Sequence, residues 1–234
     1  MKTTLLTFSL ALASFAAVAQ SPSAPGRSAV PPAPADSYSA LLSATITDLM
    51  QTTDAAALTA ITARLERAAS VAPADWLPRY YQAYARLITI FFSSDNAEAK
   101  DRTLDQAEAA LAQARGLHGD ESELLTLQAY IYSARLTVSP MARGLKYSGL
   151  VRETVAQAKL RNPANPRPYL VGANNVYYAP KMFGGGAAAA QSLYQEAQAK
   201  YAAFQPANAL MPNWGQRQLQ ARLKECAAQP NGQL

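Results

Sequence analysis

The chain has 234 residues, half of them apolar and 16% charged, with a formal net charge of +5. That is enough apolar material for a sizeable core and too much for a disordered chain. A single Cys excludes an intrachain disulfide framework and a thiolate zinc site, and a single His excludes a His-rich metal centre and argues against His-based catalysis. No metal site and no cofactor are expected.

The first element is an address. Lys2 supplies a positive start, Leu5 to Ala16 is apolar and uncharged, and Ala17-Val18-Ala19 places small residues where a signal peptidase reads, with cleavage before Gln20. The run is shorter than the roughly 20 apolar residues of a membrane span. Residues 1–19 therefore read as a secretory signal peptide. The mature chain is expected to be exported, periplasmic or secreted, with no transmembrane segment. Residues 20–35 hold five of the 15 prolines among Ser and Ala, the composition of a solvated, extended linker.

Residues 36–230 read as an all-α domain. Apolar residues recur at spacings of three and four, beginning with Tyr38, Leu42, Ile46 and Leu49. Nine helices are predicted, at roughly 36–51, 54–71, 76–93, 97–116, 121–138, 140–161, 166–179, 186–204 and 214–228. Asp75 is a candidate N-cap, Asp120 and Glu123 have capping-box spacing, and Ser139-Pro140 and Asn165-Pro166 fit N-cap and N1 positions. Asn213 is a candidate cap for the last helix, and Trp214 at its start is expected to cover the exposed end of the helix stack.

The helices repeat. Ile61, Leu65, Ala68 and Pro73 align with Ala107, Leu111, Ala114 and Gly119, and with Val151, Val155, Ala158 and Pro163; Ala190, Tyr194 and Ala197 continue the series without the breaker. Small residues at Ala83, Ala129 and Ala173 follow each breaker by ten positions and let paired helices approach closely. This pattern resembles the tetratricopeptide repeat, with antiparallel helix pairs, small residues at fixed positions and a Pro at the turn. The repeats start 46, 44 and 39 residues apart, where that family uses a shorter period. The resemblance implies antiparallel helix pairs stacked as a solenoid, with the ninth helix as a C-terminal cap. Residues 179–186, Ala-Pro-Lys-Met-Phe-Gly-Gly-Gly, are similar to a segment of exported bacterial proteins linked to TRAP-type transporters.

In such a stack the first helix of each pair lines a groove. Those helices carry Tyr84, Tyr132, Asn174, Asn175, Tyr177 and Tyr178. Tyr combines a large apolar ring with a polar tip, and Asn is a poor mid-helix residue whose amide either bonds a neighbouring helix or faces a ligand. Charge divides along the chain: residues 36–139 carry a net of −5 and residues 140–234 a net of +8. Arg167 and Lys181 thus offer electrostatic help to Asn174, Asn175, Tyr177 and Tyr178, and the basic half suits an anionic partner bound in a salt-sensitive way. Nucleic acid is not expected, since no recognition module is visible.

Other features read as structure. The glycines at 184–186 are expected to take positive φ and let Phe183 tuck under the next helix pair. His118 reads as a helix-end residue, Cys226 as a small core residue, and Asp101 and Asp105 as a solvated helix face. The function that follows is non-catalytic: an envelope scaffold that recognises a protein or peptide through the solenoid groove. The alternative is a small-ligand-binding or transport-accessory periplasmic protein, which a closed, apolar, Tyr-lined pocket would favour. A second alternative, an enzyme acting on cell-wall material, needs Glu121, Glu123 or Glu153 to converge in a cleft.

Overall fold

The computed structural model describes residues 34–228, with side chains from Ser37 onward; residues 1–33 and 229–234, including the predicted signal peptide and nearly all of the linker, lie outside them. Nine α-helices follow in order: α1 Pro34–Gln51, α2 Ala55–Val71, α3 Leu77–Phe92, α4 Ala97–Gly116, α5 Glu121–Val138, α6 Pro140–Arg161, α7 Arg167–Tyr177, α8 Ala187–Ala203 and α9 Gln216–Ala228. A single-turn 3-10 helix, Lys181–Phe183, interrupts the link between α7 and α8. No strand occurs among the described residues.

Local chemistry sets the helix ends. Asp54, Asn96 and Asp120 each accept a hydrogen bond from the backbone N–H three residues on, at 2.7, 2.9 and 2.9 Å. Asp75 and Asn165 instead bond the N–H two residues on, ahead of Pro78 and Pro168. The chain leaves α4 through His118, which has φ 59°, while Gly119 N–H reaches back to Ala114 O and His118 N–H to Arg115 O. This paired closure satisfies two carbonyls that the helix end would otherwise expose.

Consecutive helices pack on one another along the whole chain, and α1, α3, α5 and α7 also contact in sequence. They form an inner layer, with α2, α4, α6 and α8 behind. The repeat register explains why. The aligned residues Leu65, Ala68, Leu111, Ala114, Val155, Ala158, Tyr194 and Ala197 are all buried, as are Ala83, Ala129 and Ala173 on the inner helices. One apolar cluster joins α1 to α6 and Val171; a second joins α7, α8 and α9.

Three expectations need correction. Trp214 does not open the last helix, which begins at Gln216, and it does not cover the end of the stack. It lies buried against the inner layer, stacked between Tyr84 of α3 and Tyr130 of α5 at centroid distances of 5.1 and 5.7 Å. Its Nε1 donates to Tyr80 Oη at 2.8 Å, and Tyr81 Oη donates to Leu210 O at 2.9 Å. The 204–215 segment thus occupies the inner face that the sequence left as an open groove. Gly215 permits the turn into α9: its φ is 104°, and a Cβ there would stand 2.0 Å from Tyr201 Oη.

Asp101 and Asp105 do not form a plain solvated face. Both pair with Arg135, at 3.4 and 2.5 Å, and Asp101 also pairs with Arg143 at 2.7 Å. Glu123 does not close the capping box. It is buried and turned away toward Arg167 on α7, because the first turn of α5 faces the interior.

Candidate functional site

The sequence-predicted residues do not share one site. Tyr84 is in the aromatic stack with Trp214. Arg167 is 1% exposed: its Nε reaches Glu123 Oε2 at 2.8 Å and its guanidinium lies over the Phe204 ring at 4.7 Å, so its charge is met inside the protein. Tyr132 is half-buried against Tyr147.

Asn174, Tyr177 and Tyr178 gather near α8 and α9. Asn174 is buried and accepts from Tyr194 Oη at 2.8 Å, so its amide bonds a neighbouring helix. Tyr177 donates to Glu225 at 3.1 Å, and Tyr178 is exposed and accepts from Arg222, whose guanidinium covers both rings. Arg222 holds the Glu225 carboxyl below its ordinary range. These contacts dock α9 on α7.

Asn175 belongs elsewhere. It faces α6, where its Nδ2 donates to Ser148 O at 3.4 Å, and it lines an open cleft of about 340 Å³. One wall is α6, through Ser148, Arg152, Val155, Ala156 and Lys159; the other is Gly172, Asn175 and Val176 of α7. Phe183 and Gly184 close one side. The size falls within the range of small-molecule sites, about 300–1,000 Å³.

The sequence builds this cleft in two steps. Gly172 leaves α7 without a side chain where a Cβ would stand 3.2 Å from Val155 Cγ1, so α6 and α7 meet closely at the cleft floor. The glycines then fold the 181–183 turn back over α7: Gly185 N–H bonds Pro180 O and Gly186 N–H bonds Val176 O. Gly184 and Gly186 have the expected positive φ, 79° and 100°, whereas Gly185 does not and is needed for its close approach to Ala179. Phe183 does not tuck under the next pair; it stays exposed and becomes a cleft wall, since the turn is held by backbone bonds. Gly185→Ala is expected to break this bend, because its Cβ would stand 2.0 Å from Ala179 O. We expect a loss of about 1–3 kcal/mol in urea unfolding.

The cleft is basic as well as apolar. Arg152 makes no ion pair among the described residues. The Lys159 amine lies over the Tyr169 ring at 3.9 Å; burial lowers its pKa, against the opposing attraction of Glu196. Lys181 is exposed on the turn beside Phe183. In the sequence, Arg152 and Lys159 contribute only to the net charge of the basic half. Their shared stripe was readable, because 148, 152, 155 and 159 fall on one helical face.

The carboxylates do not converge in a cleft. Glu121 pairs with Arg115 at 3.4 Å, Glu123 is buried and Glu153 is on the exposed side of α6. No group of three or more His, Cys, Asp or Glu suited to a metal occurs among the described residues. No helix among them is long and apolar enough to cross a membrane.

The described residues thus form an all-helical domain of stacked helix pairs with an open cleft that combines apolar walls with the basic side chains of Arg152 and Lys159. No protein-family model matches the chain, so the tetratricopeptide likeness stands on helix pairing and small-residue register alone, and no curated protein matches it. A solved structure does: the HusA haemophore from Porphyromonas gingivalis is 32% identical, with a TM-score of 0.73, over 84% of this chain and 96% of that one. The chain belongs to the family of that haemophore.

Proposed function

We propose that this protein is an exported, non-catalytic carrier of haem or a closely related dicarboxylate tetrapyrrole, bound in the cleft between α6 and α7. Such a cargo is a flat apolar ring with two carboxylates on one edge. The observation that carries the reading is the coincidence, in one cleft, of apolar walls from Val155, Val176 and Phe183 with Arg152 and Lys159. The relationship to a protein named for carrying haem supports it. Apolar surface leaves water against the walls, and the cations answer the carboxylates with charge-assisted hydrogen bonds.

None of the described residues that line the cleft is a His, Cys, Met or Tyr. The grip is therefore on the ring and its carboxylates. A metal-free dicarboxylate porphyrin is expected to compete with haem for the same site.

Peptide recognition through the inner groove fits less well, since Trp214 and Leu210 already occupy that face. Haem titration of the mature chain, followed by its visible absorbance and by quenching of Trp fluorescence, tests the proposal. Saturable binding of one haem per chain is expected. A charge-assisted hydrogen bond contributes about 1.5–3 kcal/mol, so Arg152→Ala should weaken binding about tenfold or more. Absence of saturable binding, or an Arg152→Ala variant with unchanged affinity, would overturn the site.

A further inference from the structure

The cleft opens onto an unusual surface. On the N-terminal half of α6, Met141 and Leu145 are 100% and 95% exposed, and across the cleft Met182 and Phe183 are 83% and 75% exposed. Met141, Leu145, Arg152 and Lys159 recur at spacings of four and seven, which puts them on one stripe of α6. Among the described residues, a Cβ on Gly144 or Gly149 in that half of the helix would meet no atom within 4 Å.

Large apolar side chains left this bare require a reason. Their surroundings are positive. Between residues 140 and 195 the only acid is Glu153, against seven cations. Arg143 is paired with Asp101 and Arg167 with Glu123. Lys146, exposed one residue after Leu145, and Arg152, exposed further along the stripe, accompany the apolar side chains, and Lys159 shares the cleft with Phe183.

We infer that this α6–turn face docks the protein on a bilayer surface rich in anionic headgroups. Two features favour a bilayer over a protein. First, protein interfaces concentrate their energy in Trp, Tyr and Arg braced within complementary pockets, whereas Met141, Leu145, Met182 and Phe183 are among the most exposed large apolar side chains of the described residues. Second, protruding apolar groups flanked by Lys and Arg match the headgroup–acyl boundary, where apolar tips enter the chains and cations meet lipid phosphates. The docking does not depend on the cargo. It would turn the cleft mouth toward the phase into which an amphipathic tetrapyrrole partitions.

The test is co-sedimentation of the cargo-free mature chain with vesicles. One set is pure phosphatidylcholine and the other contains phosphatidylglycerol in equal proportion. Binding is expected to the anionic vesicles, to fall with added salt, and to be absent from the neutral ones. A triple variant, Met141→Ser with Leu145→Ser and Phe183→Ser, is expected to bind the anionic vesicles about tenfold more weakly or less, from the loss of buried apolar area. Its circular dichroism should stay unchanged, because these side chains are exposed. No binding to anionic vesicles would overturn the inference and leave the patch to a protein partner. Binding that the triple variant retains in full would also overturn it, as general electrostatic attraction. Leu145→Ser alone lies outside the cleft lining, so its haem titration separates failure of docking from failure of cargo binding.

Discussion

Trp214→Ala is expected to cost about 3–5 kcal/mol of stability, the range for removing a buried Trp or Phe. The indole is buried between Tyr84 and Tyr130, with interplanar angles of 23° and 28°. Each such aromatic pair adds about 0.5–1.5 kcal/mol beyond the area it buries. The substitution also removes the donor to Tyr80 Oη and leaves a void under Leu210 and Met211, which pack on the same cluster. For a chain of this size the loss corresponds to a Tm lower by about 10 °C. Trp214→Phe keeps the stack and loses the donor, so it should cost only about 1–2 kcal/mol. Urea unfolding of both variants measures the difference. Equal costs would place the energy in the hydrogen bond, and a cost below about 1 kcal/mol for alanine would mean that the 204–215 segment holds the inner face loosely. The same variant examines the peptide-groove reading. If the inner face is a natural docking place, removing Trp214 uncovers it and creates peptide binding; if Trp214 belongs to the core, the variant only destabilises.

The helical architecture was legible because local signals agreed with one another. Capping residues, prolines and spacing at three and four all mark the same boundaries, and α4, α5 and α6 lie at 97–116, 121–138 and 140–161, as read. Ala68, Ala114 and Ala158 were legible as packing positions because a small side chain recurring in register has a steric reason. The partners across long stretches of sequence were not legible. Trp214 lies 134 residues from Tyr80, and no local pattern connects them. The short-range signal at Trp214, a capping Asn213 just before it, favoured a helix start and concealed the return of the chain into the groove.

The same limit shaped the site. Asn174 and Asn175 are adjacent, yet their amides leave different faces of α7: one bonds Tyr194 on α8 and the other turns to α6. A single residue step rotates a helical side chain by about 100°, so the pair could not act as a unit. Arg167 read as electrostatic help to a ligand because it counts among the cations of the basic half. Its burial follows from the fourfold stacking of α1, α3, α5 and α7, which places the first turn of α7 against that of α5. Burial of that kind is a tertiary fact, and the basic charge count was silent on it.

The Glu123–Arg167 pair should prove far more sensitive to one substitution than to two. Glu123 receives Arg167 Nε at 2.8 Å and Tyr80 Oη at 3.1 Å, so the pair links α3, α5 and α7, and Tyr80 passes the connection to Trp214. Arg167 Nη1 has no hydrogen-bond partner among the described residues, although its guanidinium faces Phe204. Burial pushes the Glu123 carboxyl upward, while the attraction and hydrogen bonds of Arg167 pull against it. Arg167→Met removes that pull and leaves a carboxylate without its countercharge, at an expected cost of about 3–5 kcal/mol near neutral pH. Arg167→Met with Glu123→Leu removes both charges and the desolvation penalty together, so the double variant should recover most of the loss. The pH dependence carries the sign. In Arg167→Met the folded-state pKa of Glu123 rises further above its unfolded value, so the folded state binds the extra proton between the two values and stability falls as pH rises. The deficit of the single variant should therefore shrink between about pH 8 and pH 5, while that of the double variant stays flat across the same interval. Urea unfolding at both pH values distinguishes this from a packing defect, which would cost the same at either.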